Sequence, residues 1–426
     1  MKGTLMPAPK TQTPPALVAV PRVASGGNSG TSLKQVRRTA DLAINGAPPL
    51  FAEPHPVGRP NIGNVERFIT RARDILERRW LSNNGPMVIE FEQRIVEMLG
   101  VRHCVAMCNG TIALEIATRA LDLRGEVIVP SYSFVATAHC LQWQEITPIF
   151  ADIDPVTQNL DPDAVRRMIT PRTTGIIGVH LWGRAAAVEQ LAEVAAVNNL
   201  KLMFDASHGF GCSHDGKLLG SFGDCEVFSF HATKFFNTFE GGAIVTNDDK
   251  LAEKMRLMRN FGFEGYDRVI YPGTNGKMTE IAAAMGLTNF EDLDTFVAAN
   301  RRNYHLYRDE LRTIRGLKLL EFDESEKNNF QYIVLEVSPE FPVPRDRVVD
   351  VLHAENVLAR RYFWPGIHNM EPYRSYYPHA GLVLPHTKSV AERVVVLPTG
   401  TAMSGNEIRS VASVLRVLAS SVGNKP

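Results

Sequence analysis

The chain has 426 residues, with 46 lysines and arginines against 46 acidic residues and 44% hydrophobic residues. That length suits a large domain with a smaller companion, and the balanced charge argues against nucleic-acid or membrane-surface binding carried by bulk charge, leaving only a local patch. No uncharged apolar run approaches the ~20 residues of a membrane-spanning helix.

The first 40 residues are rich in Pro, Ser, Thr and Gly and carry six Lys/Arg and no acid. No continuous apolar core follows the initial lysine, so a secretory signal is not expected. The acid-free, Arg-containing character has a faint look of a transit peptide; the stronger expectation is a disordered leader over 1–45. The five cysteines (Cys104, Cys108, Cys140, Cys212, Cys225) include no C-x-x-C pair. Cys104 and Cys108 lack a second Cys/His pair at zinc-site spacing, so no metal site is expected. Buried, reduced thiols in a cytoplasmic protein are the expectation.

From about residue 60, Val65, Phe68, Ile69, Ile75, Leu76 and Trp80 share one helical stripe. The turn-rich L-S-N-N-G-P (81–86) follows, then a second amphipathic helix through Phe91, Ile95 and Leu99 that Gly100 stops. Strands are predicted at 104–107, 126–130, 147–151, 174–179, 200–204, 226–230 and 242–246, several of them separated by helical patterns such as T-I-A-L-E-I-A-T-R-A-L. Repeated β–α alternation with near-continuous apolar strands indicates a mainly parallel sheet covered on both faces. A long helical stretch at roughly 278–315 is expected to link to a C-terminal α/β portion containing the Q-Y-I-V-L-E-V strand and the R-D-R-V-V-D-V-L helix. The expected division is 46–290 for the large domain, with its N-terminal helical segment, and 291–426 for the small one.

In open α/β sheets, ligands sit beyond the carboxyl ends of the strands, and several polar residues fall there. Asn109-Gly110-Thr111 opens a helix, where free N–H groups and the Thr hydroxyl suit a phosphate; an ordinary N-cap would look the same. Asp205 follows an apolar strand and needs a cationic or donor partner, or else caps a turn. Lys234 lies among phenylalanines just past the E-V-F-S-F strand. A lysine in an apolar pocket loses proton affinity and becomes a usable amine nucleophile, whereas a structural lysine would pack its stem and wet its ammonium. Together, a phosphate cradle, a strand-end Asp and a reactive Lys are the parts pyridoxal phosphate needs: a lysine for the imine bond and an acid on the pyridine nitrogen. Phe134 could stack on the ring or simply join the core.

The motifs N-G-T-I-A-L (109–114), P-S-Y-S-F-V-A-T (130–137), F-A-D-I-D-P (150–155), F-D-A-S-H-G-F-G (204–211), F-G-D (222–224), F-S-F-H-A-T-K (228–234), E-G-G-A-I-V-T (240–246) and G-T-N-G-K-M-T-E-I-A-A-A-M-G (273–286) occur in this order. With them the chain, from about 60 to 415, resembles the DegT/DnrJ/EryC1/StrS sugar aminotransferases. The resemblance implies a fold-type-I pyridoxal-phosphate enzyme, aspartate aminotransferase-like, acting as a homodimer with shared active sites. It implies Lys234 as the imine-forming lysine, Asp205 on the pyridine nitrogen and Phe134 on the ring. Gly110, Thr111 and Ser229 would bind the phosphate, with Asn275 lent by the neighbouring subunit, and His208 would stand near the phenolic oxygen. The A-R-R-Y-F-W-P-G-I-H stretch (359–368) resembles the family's substrate loop, offering Arg361, Tyr362, Trp364 and His368 to a nucleotide-sugar, with a core or hinge role as the alternative for each. L-S-N-N-G-P adds Asn83 and Gly85.

Some members replace the lysine by His and dehydrate sugars, so Lys234 favours transamination. The stretches S-F-V-A-T-A-H and S-F-H-A-T-K-F-F-N-T-F-E-G-G resemble the branch acting at C4 of dTDP-4-keto-6-deoxyglucose with L-glutamate as donor. The alternatives are a 3-keto sugar aminotransferase, a dehydratase, or a non-catalytic regulator that kept the fold.

Overall fold

All seven apolar runs expected as strands between residues 104 and 246 enter one seven-stranded sheet. The computed structural model describes residues 34–421. In chain order the elements that place the site are α1 (Val65–Arg78), α2 (Pro86–Leu99), β1 (His103–Met107), α3 (Gly110–Ala120), β2 (Glu126–Pro130), α4 (Ala136–Gln142), β3 (Thr147–Ala151), α5 (Pro162–Met168), β4 (Thr173–Val179), α6 (Val188–Val197), β5 (Lys201–Asp205), β6 (Cys225–Ser229), β7 (Gly242–Thr246) and α7 (Asp249–Arg259). The strand order is β1-β7-β6-β5-β4-β2-β3. β7 runs antiparallel to both its neighbours, and the β6-β5-β4-β2-β3 pairings are all parallel.

The strands read as continuous apolar runs because both faces are covered. Along β1, Val105 and Met107 join the core beneath α3, while Cys104 and Ala106 join the one beneath α2. Phe91, Ile95 and Leu99 are the buried face of α2, and Gly100 closes the helix in the left-handed conformation (φ 66°). On the far part of the sheet Ile128, Ile176, Leu202 and Phe204 pack with Leu191 and Val194 of α6. Fully burying each such side chain contributes about 1.5–3 kcal/mol.

The helical stretch expected as one element at 278–315 is two helices, α8 (Glu280–Glu291) and α9 (Leu293–Leu311), joined at Asp292 (φ −111°, ψ 10°). Asp292 ends one helix and begins the next, and its carboxylate accepts from the Asn64 N–H at 2.9 Å. Beyond it a three-stranded antiparallel sheet forms from β8 (Leu317–Leu319), β9 (Ile333–Val337) and β10 (Val394–Leu397), with α10 (Arg345–Ala354) and α11 (Gly405–Ser420). A separate hydrophobic core surrounds it.

That second core corrects the expectation of a leader running to residue 45. Val36 and Leu42 are buried in it, beside Leu50 and Phe51. Lys34 reaches the fully buried Glu355 carboxylate at 3.1 Å, and the Ala43 N–H donates to the same group at 2.6 Å. Apolar side chains with a buried ionic anchor hold 34–45 in place, and the rest of the expected leader, 1–33, lies outside the described residues. Four of the cysteines are buried and Cys108 is half-buried, all unpaired. Among the described residues no helix is long and apolar enough to cross a membrane.

Candidate functional site

The carboxyl ends of β1, β2, β5 and β6 meet at one edge of the large sheet. Asn109, just after β1, is extended, and its side chain accepts the Ile112 N–H at 2.8 Å, starting α3. As first-turn amides, the N–H groups of Gly110 and Thr111 have no acceptor within the helix. The sheet register sets Gly242 opposite both Met107 and Ser229. A Cβ on Gly242 would stand 2.7 Å from the Asn109 carbonyl and the Gly110 nitrogen; one on Gly110 would stand 2.9 Å from Ser229 Cβ and 3.3 Å from its Oγ. Three backbones therefore converge because two of them lack side chains. The result is a helix N-terminus with a hydroxyl beside it, a setting for a phosphate.

Asp205 ends β5 and is only 4% exposed. Its Oδ2 accepts from the Thr137 hydroxyl at 2.8 Å and its Oδ1 from the Ser207 N–H at 3.1 Å. No Lys, Arg or His nitrogen among the described residues lies within ion-pair distance of it. A buried carboxylate held by two neutral donors retains the capacity to bind a cation or a protonated heterocycle. Thr137, two residues into α4, went unnoticed in the sequence; its position three residues after Phe134 carries no signal of that contact.

Lys234 follows β6 on an irregular segment whose next four residues, Phe235 to Thr238, are buried. Burial lowers the Lys234 pKa to about 8, against an opposing pull from the Asp205 charge. Its Nζ donates to the Tyr332 hydroxyl at 3.4 Å. Around this pair stand Trp182, His208, Tyr362 and Phe363, with ring centroids 4.6 Å (His208–Tyr332), 5.3 Å (Trp182–Tyr332) and 5.2 Å (Trp182–Phe363) apart. His208 Nδ1 accepts the Trp182 N–H at 3.2 Å, so its lone pair there is engaged. Burial, with the Lys234 charge, holds its pKa well below the usual range, and the ring is neutral.

Other expected residues distribute unevenly. Phe134 is exposed beyond β2, a broad apolar face at the strand-end edge. Asn275 is exposed on a segment whose neighbour Gly276 accepts the Cys108 N–H at 2.8 Å, close to the start of α3. Tyr362 enters the aromatic group, and Arg361 and Trp364 stack on each other at 4.8 Å nearer solvent. His368 turns inward: it is buried, bonds Ser131 Oγ through Nδ1 at 2.7 Å, and burial lowers its pKa to about 4. Asn83 (φ 63°) lines a separate cavity of about 280 Å³ with Arg256, Arg259 and Lys277. The direction a Cβ would take at Gly85 is filled by the Glu280 carboxylate, which accepts the Met87 and Val88 N–H groups at 3.0 Å. That helix cap accounts for a glycine there without a substrate.

A profile of the DegT/DnrJ/EryC1/StrS aminotransferase family matches residues 64–416. The chain belongs to the DegT/DnrJ/EryC1/StrS aminotransferase family. The dTDP-4-amino-4,6-dideoxy-D-glucose transaminase of Shigella dysenteriae is 38% identical over 362 residues, covering 84% of this chain and 98% of the relative. A GDP-perosamine synthase of Caulobacter vibrioides is 37% identical over 317 residues, 73% of this chain and 84% of that protein. The structure of DesI in the presence of its TDP-sugar product superposes with a TM-score of 0.86 at 49% identity, over 89% of this chain and 96% of that one. This aminotransferase is thus an enzyme of the transaminase class with a fold-type-I architecture.

Proposed function

We propose that this aminotransferase uses pyridoxal phosphate to move the amino group of L-glutamate onto C4 of a nucleotide-linked keto-deoxy sugar, dTDP-4-keto-6-deoxyglucose. The observation that carries the cofactor assignment is Asp205: a buried carboxylate, held by Thr137 and Ser207 and with no cation of the described residues at ion-pair distance, matches a protonated pyridine nitrogen. The side-chain-free approach of Gly110 to Ser229 fits a phosphate at the same sheet edge. The printed name of the Shigella dysenteriae relative, dTDP-4-amino-4,6-dideoxy-D-glucose transaminase, supports the substrate.

When bound, the cofactor supplies an electron sink that acidifies the carbon carrying the transferred nitrogen. Gly110, Thr111 and Ser229 would anchor its phosphate, Phe134 would cover a ring face and His208 would lie near its phenolic oxygen. Asp205 would hold the proton on the ring nitrogen. Lys234 would bind the cofactor covalently between turnovers. Its freed amine, with a pKa near 8, would take the proton from the glutamate α-carbon and later deliver one to the sugar carbon. 2-Oxoglutarate would depart between the two stages with an oxygen gained from water, the glutamate nitrogen staying with the cofactor, and the keto sugar's oxygen would leave as water when that nitrogen is taken up. Tyr362, Arg361 and Trp364 would contact the sugar nucleotide.

The same reading makes the protein a homodimer. Ile62, Val65, Ile69, Leu76, Trp80 and Leu81 expose an apolar stripe on and around α1, and a second copy would cover it and lend Asn275 to the phosphate. The lobes would divide as 46–290 and 291–426, with the aromatic group between their two sheets.

Borohydride reduction followed by peptide mass mapping should leave the cofactor mass on the peptide carrying Lys234. With L-glutamate and a panel of dTDP-, UDP- and GDP-linked keto sugars, 2-oxoglutarate should appear fastest with the dTDP-4-keto sugar. NMR of the product should place nitrogen at C4. An unlabelled Lys234, or amination at another carbon, sinks the corresponding part of the proposal.

A further inference from the structure

Tyr332 opens the second sheet at the edge of β9, 98 positions from Lys234 in sequence, yet its hydroxyl is 3.4 Å from Lys234 Nζ. The residue is 7% exposed and its ring is wedged between Trp182, His208 and Tyr362. A phenylalanine would fill that aromatic site as well. A hydroxyl buried there costs free energy unless it is bonded, and Lys234 is its hydrogen-bond partner among the described residues.

We propose that Tyr332 is a positioning residue for amino transfer, its hydroxyl oxygen accepting from Lys234 Nζ and keeping the free amine in place between proton transfers. This rests on the reading of Lys234 as the reacting amine. Burial raises the Tyr332 pKa well above its ordinary value, so the phenol stays neutral and keeps its own proton. The charged or titratable groups around Lys234 are Asp205, which favours the ammonium, neutral His208, Tyr332 itself, and Tyr362 beside Tyr332. Because the oxygen accepts from the amine, it stabilises the protonated form. Its removal therefore pushes Lys234 further down.

The test compares wild type with Tyr332→Phe, which keeps the ring. In the full-length chain freed of cofactor, trinitrobenzenesulfonate labelling of Lys234, read by peptide mass spectrometry, should have its midpoint near pH 8 in wild type. The variant midpoint should fall by roughly half a pH unit, with the exposed Lys201 as an unmoved internal reference. In the holoenzyme, single-turnover transfer from L-glutamate should slow about tenfold, with KM for glutamate changed less than about twofold and the melting temperature held. An unmoved midpoint and rate, or an equal shift at Lys201, overturns the inference. Absence of borohydride-fixed cofactor on wild-type Lys234 instead overturns the functional reading beneath it.

Discussion

The site has two walls of different origin. One is the strand-end wall, where Gly110, Asp205 and Ser229 each lie at or within three residues of a strand terminus of the large sheet. The other is aromatic: Trp182 and His208 come from the segments after β4 and β5, Tyr332 from just before β9 and Tyr362 from the loop beyond α10. The first wall is set by backbone register, the second by side chains that meet only when the two cores are both formed. On the proposed reading, charge recognition would sit on the strand-end wall and control of the amine on the aromatic one.

Breaking the strand-end wall should have the larger effects. On the proposed reading, Lys234→Ala would remove both the covalent anchor and the proton carrier; transfer should fall by at least about 10⁴-fold, and no cofactor mass should remain after borohydride. Asp205→Asn keeps the shape and the Thr137 contact but removes the charge, so kcat should drop roughly 10²–10³-fold with the cofactor still bound in absorbance measurements. Gly110→Ala drives a methyl to within 2.9 Å of Ser229 Cβ. The strain should weaken cofactor binding about ten- to a hundredfold, measured by fluorescence titration. The aromatic wall should respond more gently, as the Tyr332→Phe experiment measures.

The smallest effect concerns acid. His208 and His368 both have pKa values lowered by burial, His368 to about 4. For His368 the unfolded chain, titrating near 6.5, binds more protons than the folded one between pH 6.5 and 4. Stability therefore rises with pH across that window and is lost as pH falls through it. His368→Asn should flatten this dependence in denaturation midpoints taken at pH 4.5 and 7.5; an unchanged slope would mean the acid sensitivity lies elsewhere.

Much of the strand-end wall was legible because its signals are local. Apolar runs of four to six residues marked the strands, and the polar residues after them marked the proposed ligand edge. Asn109 and Gly110 betrayed a helix start by type alone. The aromatic wall was not legible. Tyr332 sits in an apolar run like any core tyrosine, and nothing near it in the chain points to Lys234. Trp182, at φ 61°, occupies a backbone state no pattern foretells for a tryptophan. Gly85 carries a contact that its motif did not announce: the Glu280 carboxylate stands where a Cβ would go. The leader was drawn too long because composition averages over a window, and Val36 and Leu42 are single apolar residues within a polar stretch.

Residues 34–51 have a consequence for the order of assembly. Val36, Leu42, Leu50 and Phe51 are buried in a core completed by Ile408, Val411 and Leu415, far along the sequence. The segment finds its full set of partners only once α11 is in place, so the large sheet can form while the second core is still incomplete. Lys34 on Glu355 fastens the segment to the end of α10.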